Sequence, residues 1–89
     1  MGRGALLAIV ALAAGCNAKL PDPDSAGARI YSERCSVCHR LYAPTLLKAE
    51  MWKYQLTRKQ GEMVRRGLPP LTAQEQSTLL AYLQEHAAK

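Results

Sequence analysis

No segment of this 89-residue chain alternates apolar and polar residues as a half-buried strand would, and none repeats or falls into low complexity. The first absence argues against a sheet and leaves an all-α fold as the expectation; the second argues against a repeat array. Acid is the minority charge, with 7 Asp and Glu against 12 Lys and Arg and a net charge of +5. Lys53, Arg58, Lys59, Arg65 and Arg66 fall in one short segment without the regular aromatic interleaving of a nucleic-acid surface, which argues against a nucleic-acid partner. They read as a solvated helix face, or as a docking surface for an acidic partner or anionic lipid head groups. Cysteine and histidine are scarce, at three and two residues. Chain length allows one domain at most.

What is present begins with an apolar leader. Residues 1–15 carry one cation, Arg3, then a run from Ala5 to Ala14 and small residues ending at Gly15, too short to span a bilayer. Leu12-Ala13-Ala14-Gly15-Cys16 resembles a bacterial lipobox, which implies that Cys16 is lipidated and becomes the new N-terminus. Residues 16–24, with Pro21 and Pro23, suit a short extended tether, and the folded domain is expected over 25–89. A remainder this small, with fewer than roughly 70–80 residues, seldom stays folded on its apolar core alone, so a covalent or metal staple is expected.

Three helices can be read. The first, over 25–35, has Asp24 or Ser25 as N-cap and leads into the cysteine motif. The second starts after Pro44 with Thr45 as N-cap and runs through Trp52 and Leu56 toward Arg66. Gly61 is a potential break, Gly67 a left-handed stop, and Pro69-Pro70 a barrier to continuation. The third, over 73–86, opens with Thr72-Ala73-Gln74-Glu75, a capping box.

Cys35-Ser36-Val37-Cys38-His39 carries the chemistry. Two thiols at this spacing can each add to one vinyl group of haem, and the adjacent histidine then lies beneath the iron as proximal ligand. A zinc site would need a second ligand pair, and Cys16 and His86 are widely separated. A thiol redox pair normally belongs to an alternating strand and helix architecture that the chain lacks.

Gly27-x-x-x-Tyr31-x-x-x-Cys35-x-x-Cys38-His39 resembles the opening of a class I mono-haem cytochrome c, and Leu80-Ala81-Tyr82-Leu83 is similar to that family's C-terminal helix. The resemblance spans residues 25–88. It implies about three helices around one covalently bound haem c, with the N-terminal glycine and aromatic packed on an aromatic of the last helix. It also implies a distal iron ligand, usually methionine. Short forms of the family place Arg-Met seven positions after a tryptophan, where this chain has Trp52, Arg58 and then Lys59.

On a helical projection from Trp52, Leu56 lies near about 40°, Lys59 near about −20°, Met63 near about 20° and Met51 near about −100°. Met63 therefore shares the apolar stripe and is the expected distal ligand, with Met51, Lys59, His86 or an open site as alternatives. Ordinary core filling is the commoner work of methionine, and Lys59 could equally snorkel outward or pair with a haem propionate. The resemblance further suggests that Pro44 helps orient His39 and that Trp52 packs on haem, its indole within reach of a propionate.

The functional expectation is a membrane-tethered, monomeric mono-haem electron carrier, not an enzyme, exported to the periplasm or its equivalent and serving exported redox proteins with an acidic docking face. A haem-based sensor or weak peroxidase with a labile distal site is the alternative, and a haem-free thiol oxidoreductase a third.

Overall fold

The computed structural model describes residues 19–36 and 40–89. The expected leader over 1–15, the lipidation residue Cys16, and the motif residues Cys38 and His39 lie outside the described residues.

Among the described residues the regular elements are helical: α1 (Ala26–Ile30), α2 (Ala49–Arg65) and α3 (Ala73–Glu85), with α3 packed against both others. The Ser25 hydroxyl caps α1 by accepting from the Ala28 N–H at 3.2 Å. The helix expected over 25–35 is continuous in space but changes winding, because Tyr31–Cys35 forms a π-helical turn. Such turns concentrate at functional sites, and this one ends at Cys35.

The second helix begins later than the sequence suggests. Pro44–Leu46 is a single 3-10 turn, and α2 opens only at Ala49 with Lys48 as N-cap and no side-chain cap. Thr45 is therefore not its cap. The cause is a competing partner: Leu47 and Lys48 are extended, Leu47 accepts from the Ala88 N–H at 2.9 Å, and Lys48 bridges to Ala88. Gly61 does not break α2, so the projection from Trp52 holds along the whole helix.

The end of α2 follows its sequence signals. Gly67 takes φ +72°, its N–H donates to Val64, and the Leu68 N–H donates to Met63 at 2.9 Å. This is a Schellman cap, in which the left-handed residue satisfies orphan carbonyls of the last turn. The capping box of α3 is complete: Thr72 Oγ1 accepts from Glu75 N–H at 3.1 Å, and the Glu75 carboxylate accepts from Thr72 N–H at 2.9 Å.

Tyr31, Leu41, Trp52, Leu56, Met63, Leu79, Tyr82 and Leu83 dominate the core. Its centre is the crossing of α1 and α3, where a Cβ on Gly27 would lie 2.2 Å from the Tyr82 Cβ. Only glycine allows that approach. Tyr31 stands between Trp52 and Tyr82, with ring centroids at 6.1 and 6.5 Å, in the edge-on and tilted geometries that aromatic quadrupoles favour. The glycine and aromatic contact implied by the family resemblance is thus present. No helix among the described residues is long and apolar enough to cross a membrane.

Candidate cofactor site

Cys35, the last residue of the π-helical turn and half-buried, opens onto a cavity of about 190 Å³ between that turn, the segment 42–47 and α2. The α2 wall comes from Trp52, Gln55, Leu56 and Lys59, residues spaced three and four apart and so facing one way. Tyr31, Tyr42, Leu46 and Leu47 supply the rest. Leu46 and Tyr42 are apolar groups left 60 % and 44 % exposed at this cavity, surface that an apolar ligand would cover.

Local bonds fix the chain after the motif. The Tyr31 hydroxyl donates to the Tyr42 carbonyl at 2.8 Å, which ties the residues on either side of the motif together. Burial pushes the Tyr31 phenol up to about 12, with neighbouring Cys35 adding to the rise, so the hydroxyl stays a donor at ordinary pH. The Trp52 indole N–H donates to the Pro44 carbonyl at 2.7 Å in a buried bond. Indole has a single donor, and the bond to Pro44 uses it to anchor the 3-10 turn to α2.

The candidate distal residues separate clearly. Lys59 lines the cavity that holds Cys35. Met63 is buried one turn further along α2, about 6 Å along the axis, and faces a second cavity with Arg34, Leu68 and Pro69. Met51 is 44 % exposed and lines neither cavity. His86 packs its ring 4.9 Å from Tyr82, with a buried Nε2 that lacks a hydrogen-bond partner among the described residues, and it too lines neither cavity.

Three features near the site have no sequence signal strong enough to find them. Arg34, one residue before Cys35, places Nη1 3.0 Å from both Glu75 carboxylate oxygens and donates from Nη2 to the Pro69 carbonyl. The Gln60 side chain satisfies both backbone groups of Leu71, accepting at 2.8 Å and donating at 3.2 Å. The Gln84 amide donates to the Ala49 carbonyl at 3.2 Å. Glu75 carries a sequence signal of its own, its place in the capping box, but the partner that meets it lies 41 residues away.

The basic segment is less uniform than its spacing suggests. Arg65 and Arg66 both pair with Glu62, and Lys59 turns to the cavity. Lys53 and Arg58 are exposed but lie on different sides of α2, about 140° apart.

Residues 31–89 match the family model described as dihaem cytochrome c. No curated protein and no solved structure matches the chain.

Proposed function

This chain belongs to the dihaem cytochrome c family, and we propose that it is a membrane-tethered electron carrier with one haem c held through Cys35, Cys38 and His39. The observation that carries the reading is the cavity at Cys35: the first cysteine of the only Cys-x-x-Cys-His in the sequence opens onto aromatic and leucine walls that need a cover. Those walls suit a flat apolar macrocycle. A single motif supports one haem for these 89 residues, although the family's description names two.

Haem supplies a one-electron couple between ferric and ferrous iron. The protein's own contribution is to hold, orient and shield. Cys35 and Cys38 provide thioether attachment, and His39 the proximal ligand. Tyr31 and Tyr42 tie together the residues on either side of the motif, and Trp52, Leu46, Leu47 and Leu56 keep water from the cavity. At about 190 Å³ the cavity is smaller than the roughly 300–1,000 Å³ of pockets that enclose a small ligand. These walls would enclose a haem only in part, and the uncovered part would be open to exported redox proteins for electron exchange. The distal ligand comes from the α2 stripe, on which Met63 and Lys59 are the two candidates.

The leader and Cys16 support export and lipid attachment, and the exposed cations of α2 support an acidic docking partner. Reductive titration of the exported protein tests the carrier function. A c-type α-band that appears on uptake of one electron per chain and disappears reversibly on reoxidation is expected; irreversible bleaching or the absence of an α-band contradicts it. Lipid attachment is checked by mass, with the lipid increment expected on the wild type and missing from Cys16→Ser.

A further inference from the structure

We infer that Lys59, through its side-chain amine, is the distal ligand to iron in this protein. The inference rests on the haem reading above and names the residue that completes that site.

Three observations point to it. First, Lys59 lines the cavity that holds Cys35, whereas Met63 does not. Because α2 is continuous through Gly61, the one-turn separation of the two side chains is fixed by the helix and is not adjustable by a bend. Second, Met63 already has structural work. It is the third residue from the end of α2, its backbone carbonyl accepts the Leu68 N–H of the Schellman cap, and its side chain shares a cavity wall with Leu68. An apolar contact between those two positions commonly accompanies that cap. Third, the other polar groups in the Cys35 cavity are poor rivals. The Tyr31 hydroxyl is protonated and donates to Tyr42, Cys35 is consumed by thioether formation, and the Gln55 amide is a weak donor of electrons to iron. Among the described residues Lys59 is the only amine on these walls, and no ion pair holds it.

Ligation uses the nitrogen lone pair, so the ammonium releases one proton to solvent as the nitrogen-iron bond forms; no electron is exchanged. A nitrogen donor in place of a thioether removes the preference for ferrous iron that sulfur gives.

The test is spectroscopy on the covalently loaded protein. The ferric wild type should be low-spin and lack the weak far-red sulfur-to-iron band. Lys59→Met should introduce that band and raise the reduction potential, Lys59→Ala should turn the ferric form high-spin, and Met63→Leu should leave the spectrum unchanged. Ferrous protein labelled at lysine with carbon-13 gives a reading without substitution: one lysine side chain should show methylene signals shifted far upfield by the haem ring current. A far-red band in the wild type that Met63→Leu abolishes overturns the inference. So does a low-spin spectrum that survives Lys59→Ala, which would leave Lys59 as a propionate partner or a solvated side chain. A wild type with no c-type α-band would instead overturn the haem reading itself, and the ligand assignment with it.

Discussion

Arg34 and Glu75 join the segment that ends in Cys35 to the first turn of α3, with one guanidinium nitrogen 3.0 Å from each carboxylate oxygen. The same carboxylate closes the capping box on Thr72, and the other Arg34 nitrogen holds the Pro69 carbonyl. One acid therefore ties the approach to the cofactor motif to the loop and helix across the core. The Thr72 N–H, followed by Arg34, holds the Glu75 carboxyl below the usual carboxylate range. A depressed pKa in the folded state contributes stability above the unfolded value and loses it as pH falls through the folded one. Acid titration of unfolding should show that loss in the wild type and a flatter profile in Glu75→Gln. Arg34→Ala should weaken the same acid dependence.

Tyr31 sets the opposite limb. Its phenol is raised to about 12, chiefly by burial, so the unfolded chain releases this proton first. The stability is complete below the ordinary tyrosine value near 10 and is lost as pH rises toward 12. Tyr31→Phe should abolish that alkaline loss while costing about 1 kcal/mol at neutral pH for the bond to Tyr42. Denaturant unfolding at several pH values between neutrality and the alkaline limit measures both.

Two glycines should respond to alanine with opposite sign. Gly67 sits at φ +72° with open space around it, so Gly67→Ala meets only the backbone penalty, about 1–2 kcal/mol destabilising. Gly61 is exposed in the middle of α2, also with open space, so Gly61→Ala should stabilise by about 0.5–1 kcal/mol. Thermal unfolding of the two variants separates them.

Gly27→Ala should be worse than either. Its new methyl would lie 2.2 Å from the Tyr82 Cβ, both on backbone-fixed positions, so α1 and α3 must move apart. Overpacking of this kind costs about 1–3 kcal/mol or more. The loss should appear as a lower melting temperature in the apoprotein as well as in the loaded one, since the contact is independent of the cavity.

These variants also mark what could be read from the sequence. Ser25, Thr72 with Glu75 and Gly67 were legible because caps and left-handed stops demand particular residue types at fixed offsets, whereas the Gly27 to Tyr82 pairing was implied by the family resemblance. The late start of α2 was not, because it depends on Ala88 reaching back to Leu47, a pairing between backbone groups that no side chain announces. The helical projection placed Lys59 and Met63 on one stripe correctly. It could not say which of them meets the cavity, since an angle carries no information about position along the axis.

Covalent attachment of haem through Cys35 and Cys38 is read from the intact mass of the exported protein under denaturing, reducing conditions. The wild type is predicted to be heavier by one haem than its Cys35→Ala, Cys38→Ala double variant, with the same lipid increment on both. Equal masses, apart from the two substituted sulfurs, would show that no haem is attached.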